Sequence, residues 1–314
     1  MLETTDNGFQ RALDYIRDIS DSQFEKGKLF ERMMKVFFQE DPIYKERFSK
    51  VWLWDEWVSE QGRNRGDLGI DLVAEEGEGE YCAIQCKCYS DTTAIQKKHI
   101  DSFIAESNRT PYTSRIIVDT GSKWGPNALK AIEGLNPECQ VIHHSDLARS
   151  QFQWPDLIRQ QPEELKRQEP YTLRGHQTEA FDSVIKGFEK SDSGKLIMAC
   201  GTGKTFTALR IAEKLAGMGG SVLYLVPSIS LLSQTMREWA EQKSIPHRYI
   251  GICSDKYAGR TDEDASMQEL EIPVTTDLGE ISKSLLKTSN DKMTVVFCTY
   301  HQTCLLYTSD AADE

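Results

Sequence analysis

The sequence lacks three features that would by themselves place a protein in a broad class. It has no basic excess, because 37 Lys and Arg stand against 49 Asp and Glu, for a formal charge of −12. It has no apolar leader and no apolar run long enough to cross a membrane. Its eight cysteines show no paired secretory spacing. We therefore expect a soluble protein of the reducing cytoplasm. A general DNA-coating surface is disfavoured, although a local basic groove suffices for DNA binding.

The chain has 314 residues, enough for two domains of ordinary size. The first, over residues 1–160, alternates short apolar runs with helical periodicity, so we expect a mixed α/β domain. Helices are predicted over 24–39, 94–107 and 126–134, and strands over 51–54, 69–75, 80–89, 115–119 and 139–143.

Residues 161–171 are polar and contain two prolines, which predicts a linker. Over residues 172–303, four strands alternate with helices, so we expect a doubly wound parallel sheet. The strands are predicted at Lys195–Met198, Ser221–Val226, His247–Ile252 and Met293–Cys298. The acidic stretch Asp255–Lys287 reads as a surface insertion. Residues 304–314 resemble a translated sequencing adapter, and we interpret them as an artefactual tail, with a natural acidic tail as the alternative.

Two consecutive strands of the first domain carry polar residues at positions that suit phosphodiester chemistry. Side chains alternate across a strand, so Gln85 and Lys87 share one face while Cys82, Cys86 and Cys88 share the other. Asp71 on the preceding strand can reach the face of Gln85 and Lys87. Carboxylate and amide oxygens suit Mg²⁺, and a lysine can orient water and stabilise negative charge. From spacing alone, a turn aspartate and a polar sheet face explain the pattern equally well.

Other candidates near this hairpin have structural alternatives. Glu31 lies beside the apolar stripe of the helix over 24–39 and could project into the same cleft, although spacing alone favours an exposed carboxylate. The cysteines on the apolar face favour core packing over zinc, because they lack a short paired knuckle and a second ligand pair. The pair His143-His144 follows a strand and favours a structural role. Trp52, Trp54 and Trp57 favour the core over base stacking.

Three short motifs resemble the Mrr-like branch of the PD-(D/E)XK restriction endonucleases. They are Phe30-Glu31, Gly69-Ile70-Asp71-Leu72 and Gln85-Cys86-Lys87, and the resemblance covers roughly residues 20–150. It implies that Glu31, Asp71, Gln85 and Lys87 form the active site, with Glu31, Asp71 and Gln85 as Mg²⁺ ligands. Ile70 replaces the proline of the family's Pro-Asp pair, a departure that is common in this branch.

The second domain contains a phosphate-binding loop between a predicted strand and a helix. Backbone N–H groups of a glycine-rich loop wrap a phosphate, and the helix N-terminus favours its charge. Lys204 is expected to reach the β- and γ-phosphates of ATP, and Thr205 to bind the nucleotide's Mg²⁺. Met198 occupies the position of the strict pattern's first glycine. The loop residues proposed for the cofactor are Gly201, Thr202, Gly203, Lys204 and Thr205.

The flanking motifs, in order, resemble those of superfamily 2 helicases and translocases over residues 171–303. They are Arg174-Gly-His-Gln177, the phosphate-binding loop, Leu225-Val-Pro-Ser228 with Gln234, and Val296-Phe-Cys-Thr-Tyr300. The resemblance implies that Arg174 and Gln177 belong to the nucleotide site, where Gln177 would read adenine. The DExH box expected after Thr299, the second RecA-like lobe and its arginine finger are absent. We therefore expect poor nucleotide binding and no hydrolysis by the normal route.

A nuclease followed by such a motor resembles the single-polypeptide type I (type ISP) restriction enzymes of prokaryotes. The resemblance implies double-stranded DNA as partner, Mg²⁺ and ATP as cofactors, and an N-terminal fragment of a longer enzyme. The missing parts would include the second lobe and, in that class, methyltransferase and target-recognition domains. Two alternatives stay open, namely a repair or phage-defence helicase with an accessory nuclease and a catalytically silent DNA-binding fragment.

Overall fold

The computed structural model describes residues 8–62, 69–77, 79–90, 93–121, 123–150, 152, 154, 171–253, 277–286 and 290–303. It divides into two compact units, residues 1–167 with 268–271 and residues 168–267 with 272–314. Both units combine helices with parallel strands, as the sequence predicted. Within the described ranges no helix combines the length and apolar character that a membrane crossing needs. Most of the predicted linker, insertion and tail lie outside these ranges.

The first unit contains seven described strands, which are β1 (Lys50–Leu53), β2 (Leu72–Gly77), β3 (Glu80–Lys87), β4 (Ala94–Ile95), β5 (Tyr112–Asp119), β6 (Lys123–Trp124) and β7 (Cys139–His143). Five of them form a mixed sheet in the order β1-β2-β3-β5-β7. The strands β1, β2 and β3 pair antiparallel, whereas β3, β5 and β7 run parallel. A small parallel pair, β4 with β6, lies apart from this sheet.

Helices cover the two faces of this sheet and create two cores. One core contains the apolar side of the helix Gln23–Glu40 (α2), together with Cys82 and Cys86 from β3 and Cys88 just after it. The other contains Trp52, Trp54 and Trp57. The predicted core positions of these cysteines and tryptophans are thus confirmed. The helices are α1 (Gly8–Ile19), α2 (Gln23–Glu40), α3 (Tyr44–Arg47), α4 (Trp54–Glu60), α5 (Asp101–Ser107), α6 (Pro126–Ile132) and α7 (His144–Arg149).

Some local predictions for this unit were wrong. The helix predicted over 94–107 is broken into β4, a 3-10 turn at Lys97–His99 and α5, because Ala94 and Ile95 pair with β6. Helices α1, α3, α4 and α7 were not predicted. Helix α4 begins directly after β1, where the Glu56 carboxylate accepts a hydrogen bond from Leu53 N at 2.8 Å. A carboxylate at this position satisfies an N–H group that the helix leaves unpaired.

The second unit contains a three-stranded parallel sheet in the order β8-β10-β9. The strands are β8 (Ser221–Val226), β9 (His247–Ile252) and β10 (Met293–Thr299), which confirms three of the four predicted strands. The helices are α8 (Gly175–Phe188), α9 (Lys204–Leu215), α10 (Ile229–Gln242) and α11 (Leu278–Leu286).

The strand predicted at Lys195–Met198 is not formed among the described residues. A strand requires a neighbour for its backbone groups, and no described segment pairs with residues 195–198. The side chains of Leu196 and Ile197 are 40% and 89% exposed. Their apolar character predicted a buried strand, but burial depends on a neighbouring strand and not on the segment itself.

A buried carboxylate joins α9 to the segment before β9. Glu213 accepts hydrogen bonds from Arg210 NH1 at 2.6 Å and from the Ser244 backbone N–H at 2.6 Å, and His247 Nε2 lies 3.5 Å from its Oε1. Burial alone would raise the pKa of Glu213. The hydrogen bonds from His247, Ser244 and Arg210 outweigh burial and lower the pKa from 4.5 to about 2.

We expect Glu213→Gln to lower the free energy of unfolding of the second unit by about 2 kcal/mol at neutral pH. Because the folded pKa is depressed, this contribution is complete above the unfolded pKa of 4.5 and is lost as the pH falls towards about 2. Thermal unfolding of the unchanged protein and of Glu213→Gln between neutral pH and about pH 3 measures the difference in their stability. We expect this difference to become smaller as the pH falls.

The matched control is Glu238→Gln on α10. Burial raises the pKa of Glu238, so its ionised form is disfavoured in the fold. The same substitution there is expected to leave stability at neutral pH unchanged or slightly higher. Equal losses in the two variants would contradict the role given to Glu213.

Candidate active site

Asp71 is fixed at the point where the chain enters β2. Its N–H donates to Ile84 O at 2.9 Å, and its carbonyl accepts from Trp54 N at 2.9 Å. Its carboxylate Oδ2 accepts the backbone N–H of Cys86 at 2.7 Å. The last of these bonds ties the side chain to β3 between Gln85 and Lys87. Asp71 is thus held in place by backbone groups, as a catalytic carboxylate must be.

Gln85 lies on β3 and is buried, with 1% of its surface exposed. Its Nε2 donates to Gly69 O at 2.8 Å, which fixes the direction of the amide. Gly69 has a φ of +84°, and a Cβ there would come within 2.6 Å of Ser102 Oγ. Only glycine therefore suits this turn. The turn brings the Gly69 carbonyl to Gln85 and leads directly into Asp71.

The other amide atom of Gln85 has no hydrogen-bond partner. Oε1 is buried and accepts no hydrogen bond. A buried amide oxygen without a donor costs free energy unless another group satisfies it. A divalent cation is such a group, since Mg²⁺ takes hard oxygen ligands. This unsatisfied oxygen fits the predicted metal site better than a merely structural glutamine.

Glu31 reaches the same end of the hairpin from α2. It is 9% exposed, and its Oε2 accepts a hydrogen bond from Lys28 Nζ at 2.9 Å. The pKa of the Lys28 ammonium is raised because attraction to Glu31, Asp55 and Asp71 outweighs the opposing effect of burial. The exposed carboxylate that spacing alone favoured is therefore wrong, because Glu31 is buried. The active-site role that the family resemblance implies for Glu31 stays a prediction.

The buried thiol of Cys86 senses the charges of the same candidate residues. Burial raises its pKa well above the usual range, the carboxylates of Asp71 and Glu31 raise it further, and Lys87 lowers it. Three of the four predicted site residues therefore act on one buried atom. The fourth, Gln85, is the adjacent residue on β3. The Asp71 carboxylate thus contacts β3 between Gln85 and Lys87, and the charge of Glu31 acts on the same segment.

These residues could hold a cation without a large acidic cluster. Among the described residues, no group of three or more His, Cys, Asp or Glu side chains is arranged to bind a metal. The candidate oxygen ligands are instead two carboxylates, Asp71 and Glu31, and the amide of Gln85. Such a mixed set leaves coordination positions for water and phosphate oxygens, which is how proteins usually bind Mg²⁺.

The same sheet edge carries two polar residues that the sequence analysis did not select as site residues. Lys87, Asp119 and His143 occupy neighbouring register positions at the ends of β3, β5 and β7. Asp119 is completely buried, and its carboxylate accepts from Gly121 N at 2.7 Å and Trp124 Nε1 at 2.8 Å. Polar residues that end parallel strands share one edge of a sheet, and this signal was present in the sequence.

The phosphate-binding loop of the second unit leads into α9. Gly201 and Gly203 have φ values of +75° and +77°, which non-glycine residues rarely adopt. Lys204 Nζ donates to Ala199 O at 3.1 Å, and Thr202 Oγ1 donates to the same carbonyl at 2.7 Å. The ammonium group thus lies against loop carbonyls near the start of α9, within reach of a phosphate bound there. Thr205 follows on the first turn of α9.

Gln177 connects the start of α8 to this loop. Its Oε1 accepts from Arg174 N at 2.9 Å, and its Nε2 donates to Thr202 O at 3.0 Å. A Cβ at Gly203 would overlap the Gln177 amide. The structure therefore brings Gln177 to the predicted nucleotide loop, whereas Arg174 contacts the Gln177 amide through its backbone N–H. Adenine recognition by Gln177 stays a prediction, because both ends of its amide contact backbone groups.

Each half of the chain matches a known protein family. Residues 39–164 match a restriction endonuclease family with an Mrr-type catalytic domain. Residues 170–308 match the family described as type III restriction enzyme, res subunit. The first match contains Asp71, Gln85 and Lys87 and begins after Glu31. The second match contains the loop from Gly201 to Thr205.

A solved structure resembles nearly the whole chain. The ATP-dependent type ISP restriction-modification enzyme LlaBIII, bound to DNA, is 32% identical with a TM-score of 0.81 and covers 96% of this chain. The chain spans 19% of that enzyme.

Two curated proteins match short segments of this chain. An ATP-dependent RNA helicase of Acanthamoeba polyphaga mimivirus is 51% identical over 43 residues, which are 14% of this chain and 8% of the relative. Replication restart protein PriA of Treponema pallidum is 36% identical over 74 residues, which are 24% of this chain and 11% of the relative. The chain therefore spans only a small part of each relative that it matches.

The two family matches occur in the same order as the nuclease hairpin and the phosphate-binding loop, and the LlaBIII match extends over both units. The chain thus consists of an Mrr-like restriction endonuclease domain followed by a superfamily 2 helicase-like domain, and it resembles the type ISP restriction-modification enzymes.

Proposed function

We propose that the first unit is a Mg²⁺-dependent DNA endonuclease of an ATP-dependent restriction enzyme. The observation that carries the proposal is the buried, unsatisfied Oε1 of Gln85, which lies one residue from the Asp71-bound N–H of Cys86. Double-stranded DNA is the substrate that the nuclease family and the DNA-bound type ISP structure support. We also propose that the protein acts in the cytoplasm of a prokaryote.

The residues of the candidate site would have different roles in phosphodiester hydrolysis. Asp71, Gln85 and Glu31 would hold Mg²⁺, which supplies charge to polarise the scissile phosphate and lower the pKa of a bound water. Lys87 would orient the attacking water and stabilise the negative charge that develops on the phosphate. Hydrogen bonds to Gly69 O and from Cys86 N would keep Gln85 and Asp71 in position during the reaction.

The second unit would supply the nucleotide-binding lobe of a DNA translocase. Lys204 and the backbone of the loop from Gly201 to Gly203 would bind the phosphates of ATP, and Thr205 its Mg²⁺. Gln177 and Arg174 would complete the pocket beside the loop. In this proposal ATP drives movement along DNA, while the first unit cuts it. The DExH box and the second lobe of the longer enzyme would complete hydrolysis.

Lys87→Ala is expected to reduce nicking of supercoiled plasmid by about 10²–10⁴-fold, because the charge on the phosphate loses its stabilising partner. Binding of duplex DNA without Mg²⁺ should be preserved, as measured by fluorescence anisotropy. Lys45→Ala, on the half-exposed lysine paired with Glu40, is the control and should cut normally. Retained cleavage by Lys87→Ala would reject the site assignment.

Asp71→Asn is expected to remove the Mg²⁺-dependent rise in melting temperature of the first unit, because a cation that binds only the folded state stabilises it. A differential scanning titration with MgCl₂ measures this without any substrate. The same substitution at Asp55, which is not a proposed ligand, serves as the control and should retain the rise. An unchanged Mg²⁺ response in Asp71→Asn would contradict metal binding at this site.

Lys204→Ala is expected to abolish the weak binding of a fluorescent ATP analogue, because the phosphates lose their main cationic partner. Lys214→Ala, in the last turn of the same helix, is the matched control and should bind like the unchanged chain. Equal binding by the Lys204 and Lys214 variants would show that the nucleotide site lies elsewhere. The unchanged chain should release no phosphate from ATP.

A further inference from the structure

The catalytic edge of the first unit continues beyond Lys87 onto two more strands. Lys87 pairs in register with Asp119, and Asp119 pairs with His143, all on the same face of the sheet. Neighbouring strands lie about 4.8 Å apart, so His143 lies about 10 Å from Lys87 across the sheet. That separation corresponds to about three base-pair steps of DNA at 3.4 Å each. One duplex could contact both residues.

Asp119 positions the His143 ring. Its Oδ2 lies 3.7 Å from His143 Nδ1, an ion-pair distance when the imidazole is protonated. The carboxylate is fully buried and held by Gly121 N and Trp124 Nε1, so it cannot turn away. The His143 side chain is 30% exposed, and Trp124 contacts it edge-on with ring centroids 6.3 Å apart. Nδ1 of the ring therefore faces a fixed anion, and about a third of the side chain is exposed.

The Asp119 carboxylate and the proposed catalytic carboxylate both act on the phenol of Tyr89. Burial raises the pKa of the Tyr89 phenol, and the negative charges of Asp119 and Asp71 raise it further. One side chain thus senses both carboxylates. Among the described residues, Lys87 lies on the same face as His143, and the Asp146 carboxylate accepts the His143 backbone N–H at 2.8 Å. A protonated His143 would add positive charge where a nuclease needs to hold DNA.

We propose that His143, positioned by Asp119, donates a hydrogen bond to a DNA phosphate a few nucleotides from the phosphate that is cut. The proposal rests on the nuclease function proposed above. A phosphate is the chemistry that fits, because an imidazolium paired with Asp119 would attract an anion to the partly exposed ring. In this role His143 binds substrate, and Asp119 is a positioning residue that acts through it.

The test measures DNA binding by the full chain in EDTA at about pH 6, using a labelled duplex and a series of salt concentrations. Loss of one phosphate contact should make the slope of log K against log salt shallower by about 0.9. His143→Gln is expected to show this change and several-fold weaker binding at low salt. His143→Arg should restore both the slope and the affinity, which a purely structural role would not predict.

Two further variants separate binding from structure. His144→Gln removes the adjacent histidine, whose Nε2 contacts Gln10 Oε1 at 2.9 Å and whose ring packs on Phe9. This control should keep the slope of the unchanged chain. Asp119→Asn should weaken binding, and in the double variant with His143→Gln it should add no further loss, because both act through one contact.

An unchanged slope in a folded His143→Gln variant would overturn the proposal. So would a slope that His143→Arg fails to restore. Neither result would contradict the proposed nuclease function, because that proposal is tested separately by Mg²⁺-dependent nicking that requires Asp71, Gln85 and Lys87. Conversely, a chain that binds DNA through His143 but never nicks it would retain this inference and reject the nuclease proposal.

Discussion

The antiparallel pairing of β2 with β3 is the constraint on which the proposed nuclease site depends. Its register opposes Leu72 to Ile84, and Asp71 extends the pairing by one more hydrogen bond to Ile84 O. From that point the Asp71 carboxylate binds the backbone N–H of Cys86, and the Gly69 carbonyl accepts from Gln85. A shift of one residue would turn Gln85 and Lys87 into the opposite core. The large apolar cores on both faces make such a shift costly.

Those two cores also explain how the fold can hold a buried polar atom that lacks a hydrogen-bond partner. Cys82 and Cys86 pack against α2 on one face, while Trp57 and Phe103 pack on the other. Their burial fixes the sheet, and the fixed sheet holds a buried amide oxygen without a hydrogen-bond partner. Functional sites commonly contain such an unsatisfied group, because the surrounding fold supplies the stability that the group costs.

The second unit illustrates the same dependence on neighbours in a different way. The loop glycines and the first turn of α9 form their local structure from sequence alone, since positive φ values and a helix start need few distant contacts. The apolar segment before the loop does not form a strand, because no described strand lies beside it. Glu213, in contrast, accepts hydrogen bonds from Arg210 on α9 and from Ser244 in the segment before β9, so it links these two segments.

The sequence by itself determined the local features of this protein. Alternation along β3 separated the core cysteines from Gln85 and Lys87, and the glycine spacing identified the loop that we propose to bind nucleotide. Both signals arise within a few residues, from strand geometry and allowed backbone angles. Only the tertiary structure decided that Glu31 is buried beside the hairpin, that residues 94–107 divide between a strand and a helix, and that Asp119 faces His143. Each of these depends on which distant segments pack together, and that choice is made by the free energy of the whole fold.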